Sequence, residues 1–189
     1  MILSDEELKA YDIRFLMKMT ITITDKDNID RLYDSVFRAH RDVLIGRFYL
    51  PNYCANLNTE NKVYDALYDY IKRTKLKTKQ ESIGSFKLIE HLESKFPEIE
   101  FGAIQKLVNM TLKYLYLLKK YEPNSISDIC IDVRKFDCPL DSNILGELGM
   151  DDLKWTKIIK DEYKQVQNCI KKELDNEEYG NIMYDFIKY

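Results

Sequence analysis

At 189 residues and 45% hydrophobic content, the chain has enough apolar side chain for one real core. Only 6 Gly and 4 Pro interrupt it, which excludes a many-turn β architecture, and a formal charge of −3 argues against wholesale coating of nucleic acid while leaving room for a local basic groove. Four scattered cysteines without a CxxC, and only two histidines, make a zinc site a poor expectation, and no apolar run approaches the roughly 20 residues that cross a bilayer.

In chain order, Ser4 and Glu7 form a capping box, and Leu8, Tyr11 and Leu16 follow as the apolar face of a first helix. Met17 to Thr24 alternates and is β-branched, so it reads as a short strand or as the end of that helix. Its one evident strand partner is Ile129 to Val133. Asp27 or Asn28 then caps a helix with Ile29, Leu32, Tyr33, Val36, Phe37, Val43 and Leu44 on its apolar face, and Gly46 stops it. His40, on this helix, reads as structural. The aromatic-rich loop Arg47 to Asn58 is suited to a lid or to packing on the core.

Thr59 is expected to cap a third helix, with Val63, Leu67, Tyr70 and Ile71 inward. That helix runs into the basic cluster Lys72, Arg73, Lys75, Lys77 and Lys79. The cluster reads first as a solvated helix end whose cations complement the dipole, and as the alternative suits phosphate contacts. Ser82 or Ser85 opens a fourth helix that Pro97 ends.

Residues 102–120 are the centre of the pattern. Leu107, Met110, Leu112, Leu115, Leu117 and Leu118 cover most of a cylinder, which predicts a buried helix. Gln105, Asn109 and Lys113 nevertheless fall at i, i+4 and i+8 on one face. A polar stripe on a buried helix must meet water, a polar partner or a site. One reading is a buried polar network in which Gln105, Asn109 and Lys113 bridge to Asp132, Asp137 or Asp141 and fix the packing of the helix. Beyond Glu122-Pro123-Asn124, Pro139 is expected in the first turn of a short helix with Asp141 near its start, and Gly149 stops it. Trp155 and Ile158-Ile159 lead into a long helix with Tyr163, Val166, Ile170 and Leu174 inward. A terminal amphipathic segment carries Ile182, Met183, Phe186 and Ile187. The period of 3.6 predicts an all-α fold over residues 1–189, a single domain of about seven or eight helices, with at most a minor two-stranded element.

No P-loop, GxGxxG, GxSxG or HExxH occurs, and nothing calls for a cofactor or a metal. One pairing carries chemistry. Gly102 and Lys106, followed by Pro139, Asp141, Leu148 and Gly149, resemble the two signature segments of helix-hairpin-helix DNA glycosylases. The resemblance implies a catalytic pair, in which Lys106 attacks the sugar carbon bearing a damaged base and Asp141 assists its deprotonation. It implies DNA as partner, with Gln105, Asn109, Lys113, Lys72, Arg73 and Lys75 as candidate binding residues. Ile104 stands where the hairpin has its second glycine, and Glu100-Phe101 replaces its Leu-Pro lead. Gln105-Lys106, Asn109, Lys113-Tyr114, then Pro139, Asp141-Ser142 and Ile144-Leu145 also resemble a set of uncharacterised helical proteins of low-GC bacteria and mobile elements. That likeness implies no activity. The alternative expectation is a non-enzymatic acidic adaptor or inhibitor, of phage or mobile-element type, that binds a protein partner through a Tyr-rich surface. With no leader segment evident, a cytoplasmic location with reduced thiols is expected, and no membrane contact.

Overall fold

The computed structural model describes residues 31–45, 57–77, 82–121, 123–126, 129–175 and 179–188. Seven α-helices occupy them: α1 (Arg31–Ile45), α2 (Leu57–Lys77), α3 (Ser85–Lys95), α4 (Phe101–Tyr121), α5 (Ser142–Glu147), α6 (Lys160–Leu174) and α7 (Ile182–Lys188). Short 3-10 turns at Pro123–Ile126, Val133–Lys135 and Trp155–Lys157 join the later elements. The architecture is all-α. The expected helix start near Ser4, the candidate strand Met17 to Thr24, the Asp27/Asn28 cap and most of the Arg47 to Asn58 loop lie outside the described residues. Among those described, extended pairing is limited to one parallel bridge between Ile83 and Ile131. No helix among them is long and apolar enough to cross a membrane.

α4 is the centre of the packing. It lies against α1, α3 and the 3-10 turns Pro123–Ile126 and Trp155–Lys157. Val108, Leu112, Leu115 and Leu117 have no exposed surface at all, and Ile104 is 1% exposed. Each such side chain contributes about 1.5–3 kcal/mol relative to staying in water. Tyr114 adds a polar tie, since its buried hydroxyl donates to Asp42 of α1. Burial and the adjacent carboxylate push that phenol well above its ordinary range, so it remains a donor.

Helix ends follow local chemistry. Asp141 caps α5, with Oδ1 accepting from the N–H groups of Asn143 and Ile144 at 3.0 Å each. Pro139 lies before that helix in extended chain, not in its first turn as the sequence led one to expect. α5 closes with Gly149 at φ +68°, while Met150 N–H bonds Leu145 C=O and Gly149 N–H bonds Gly146 C=O. This is the two-bond Schellman ending that a left-handed glycine permits. α2 begins at Leu57, so Thr59 lies inside the helix and not at its cap.

Gly102 sits where the first turn of α4 meets the Trp155–Lys157 turn. A Cβ there would lie 2.1 Å from the Trp155 carbonyl oxygen, so backbone would have to move. Gly102→Ala is expected to cost about 2–3 kcal/mol of stability by overpacking, measured by urea denaturation. An unchanged midpoint would show that the Trp155 turn yields freely.

Candidate functional site

The extended segment 136–141 crosses the polar face of α4. Buried extended chain carries N–H and C=O groups that no ladder satisfies, and each must find a partner. Glutamine supplies it twice. The Gln105 amide donates to the Leu140 carbonyl at 2.9 Å and accepts from the Leu140 N–H at 3.2 Å. Gln167, from α6, does the same for Cys138, donating at 2.7 Å and accepting at 3.0 Å. Each side-chain amide thus acts as one peptide unit of a neighbouring strand. Pro139, between them, has no N–H to satisfy. Cys138 itself is fully buried, and burial pushes its thiol upward, so it is a packing residue and not a nucleophile.

Asn109 extends this network. Its Nδ2 donates to Tyr163 Oη at 2.9 Å, with weaker contacts to Gln105 and the Cys138 carbonyl at 3.3 and 3.4 Å. The Tyr163 hydroxyl donates in turn to Asp137 Oδ2 at 2.7 Å. Lys113, the third stripe residue, reaches elsewhere. It forms a buried ion pair with Asp185 of α7 and lies 4.9 Å from the Phe186 ring centre. Burial raises the Asp185 carboxyl, and the lysine charge offsets that in part.

Lys106 stands one position off the stripe, at the edge of the helix. Its Nζ lies 3.3 Å from Asp141 Oδ2 and 4.6 Å from the centre of the Trp155 ring. The two side chains are 13% and 20% exposed, against 5% and 6% for Lys113 and Asp185, so only the first pair reaches solvent. The carboxylate is divided between two tasks: Oδ1 holds the α5 N-terminus and Oδ2 holds the amine. Chemically, the pair presents an amine beside a fixed proton acceptor, with an indole face behind it.

The chain matches no protein-family model, no curated protein and no solved structure.

The remaining candidates separate. Lys72 and Arg73 are exposed on α2 and engage their own helix, Lys72 with the Tyr68 hydroxyl at 2.9 Å and Arg73 with Asp69 at 3.6 Å. Lys75 falls in the same helix, and its side chain is outside the described residues. Among the described residues, no group of three or more His, Cys, Asp or Glu side chains is placed to hold a metal.

Sequence reasoning did not single out Gln167 or Asp185, and it placed Tyr163 on an apolar face. A signal existed for each: Gln167 lies four residues after Tyr163 on the same helical face, and Asp185 interrupts the otherwise apolar run from Ile182 to Ile187.

Asp137 is the most perturbed carboxyl with access to a cavity. Burial lifts it from the ordinary 3.8 to about 6, against the lowering effect of the Tyr163 hydroxyl. The folded state therefore holds this proton more tightly than the unfolded chain. Its contribution to stability is fully present below pH 3.8 and is lost as pH rises through about 6. The total is of the order of 2–3 kcal/mol. Asp137→Asn keeps an acceptor for Tyr163 but removes the charge. It is expected to stabilise the protein by about 2 kcal/mol above pH 7 and by little near pH 4, in urea denaturation across that range. Equal stability differences at both ends would contradict this.

Proposed function

We propose that the protein binds nucleic acid, and that Lys106 and Asp141 form a reactive centre of the glycosylase-like type. The observation that carries this reading is the ion pair itself. Two residues far apart in sequence meet at 3.3 Å, at the solvent-reaching edge of an otherwise buried helix. In the reaction, the Lys106 ammonium gives a proton to Asp141. The freed amine then bonds to the sugar carbon, and the bond from that carbon to the base breaks, its electron pair leaving with the base, which takes the proton that Asp141 had accepted. Transfer of a second amine proton to the ring oxygen opens the sugar and leaves a Schiff base. Asp141 counters positive charge on the sugar. Gly102 and Ile104 have no part in this reading as a phosphate cradle, because both are filled in by the protein's own packing.

A second reading has its own support. Asp141 is already the cap of α5, so the pair also serves as a tie between α4 and α5. Tyr33 and Phe37 are 36% and 41% exposed beside Tyr64 and Tyr68, which suits a protein partner.

Retention on immobilised DNA separates the two. The nucleic-acid reading expects binding at about 50 mM salt that weakens steeply by about 200 mM, and weaker binding for Lys106→Glu. Absence of retention at the lower salt would remove it in favour of the protein-partner reading.

A further inference from the structure

We infer that the cleft between α6, the Val133–Lys135 turn and residues 179–181 is a binding site for a nucleoside phosphate. The cleft has a volume of about 590 Å³. That lies within the range of small-ligand pockets, roughly 300–1,000 Å³. It is separate from the Lys106–Asp141 pair, neither residue of which lines it.

Its floor is a carboxyl. Asp137 Oδ2 is held by the Tyr163 hydroxyl, and its backbone N–H is held by Ser85 Oγ at 2.8 Å. Among the described residues Oδ1 has no hydrogen-bond partner, and Asp137 lines the cleft. A carboxyl so placed accepts an N–H or O–H donor from a ligand. Burial lifts this carboxyl to about 6, and a carboxyl so perturbed in a cleft is one mark of a functional site. Gly180, also in the wall, packs so closely on the 133–136 backbone that a Cβ there would meet the Val133 carbonyl oxygen at 2.0 Å.

The rim is cationic. Lys164 and Lys171 project from one side of α6, two turns and about 10 Å apart along the axis. Lys171 has no ion pair among the described residues. Arg134 faces them from the opposite wall, its guanidinium held by Asp132 at 2.8 and 3.1 Å. Cations around an open cleft favour a phosphate. Two exposed aromatic residues, Phe86 and Tyr179, share that rim. Lys160 and Lys164 lie 4.9 and 5.2 Å from the Phe86 ring centre, so a ligand ring stacking there would take the place of one of these cations. Cations alone would suit any phosphate. An aromatic platform with an acceptor at depth selects a ligand that has a flat ring bearing donors as well, which is a nucleobase.

The test is titration of the labelled full-length protein, followed by amide chemical shifts, with the four ribonucleoside 5′-monophosphates. Adenosine, ribose 5-phosphate and inorganic phosphate are the partial ligands, and a 5′-phosphorylated oligonucleotide is compared with the free nucleotides to assign the source. At least one mononucleotide or the oligonucleotide should saturate, with shifts at Lys164, Lys171 and Tyr179. Each partial ligand should bind about tenfold or more weakly, and Lys164→Glu/Lys171→Glu should weaken the best ligand by at least about tenfold. Lys106→Gln should leave mononucleotide binding unchanged, since Lys106 does not line the cleft, so this site and the proposed reactive centre fail independently. No saturation by about 10 mM of any ligand would overturn the assignment. So would ribose 5-phosphate binding as tightly as the best nucleotide, or indifference to the double charge reversal.

Discussion

Lys113→Met is expected to lower the unfolding free energy by about 3–5 kcal/mol, because it leaves the Asp185 carboxylate buried without its counter-charge. Both partners are only 4% exposed, so water cannot take over the role of the lost ammonium. Asp185 escapes the penalty by binding a proton. Its carboxyl is already raised by burial, and losing Lys113 raises it further, so the cost of the substitution should shrink as pH falls. Lys113→Met/Asp185→Leu should recover most of the loss, since a buried pair replaced by apolar groups of similar size is close to neutral. Urea denaturation of the three variants at two pH values checks this. A single-variant cost below about 1 kcal/mol would mean that the pair is hydrated in solution.

Gln105→Leu is expected to be nearly as damaging, at about 2–4 kcal/mol, although the side chains are similar in size and the position is wholly buried. The loss falls on the segment that the amide holds. Leu140 N–H and C=O would both be buried without partners, and Asn109 would lose its contact with Gln105 Oε1. The Leu140 amide should be among the slowly exchanging hydrogens of the parent protein and should exchange much faster in the variant. Unchanged exchange at Leu140 together with parent-like stability would show that the segment is held by its apolar side chains alone.

These two substitutions also mark how far the sequence could be read. The central helix was legible because almost every turn from Leu107 to Leu118 is apolar, and helical periodicity needs no knowledge of distant contacts. The oddity of Gln105, Asn109 and Lys113 was legible for the same reason: three polar residues on one face of a buried cylinder require partners. Which partners they find was not legible. Besides Asn109 on its own helix, Gln105 meets the Leu140 backbone, and a sequence carries no mark on the peptide unit to be clasped. Pro139 was drawn into the α5 helix because proline favours first turns, but here it removes an N–H from a buried extended segment. Asp185 was passed over within an apolar run, where a lone acid is the very residue that must pair with something buried. Lys106 and Asp141 were picked out by their resemblance to a two-part motif, and they lie 3.3 Å apart.

The cleft over Asp137 belongs to the other side of the same network. Gln105, Asn109, Tyr163 and Asp137 link the segment clasped by α4 to the floor of the cleft on α6. Sequence reasoning could not assemble that floor, because Asp137, Tyr163 and Gly180 come from three separate stretches of chain.

Borohydride trapping on duplex and single-stranded DNA carrying abasic, 8-oxoguanine or uracil sites tests the central claim most directly, with Lys106→Gln beside the parent. The account predicts a covalent adduct with the parent on at least one of these substrates and none with the variant. Failure of the parent to form an adduct on any of them, or an adduct of equal yield from Lys106→Gln, would contradict it and leave the Lys106–Asp141 pair as a tie between two helices.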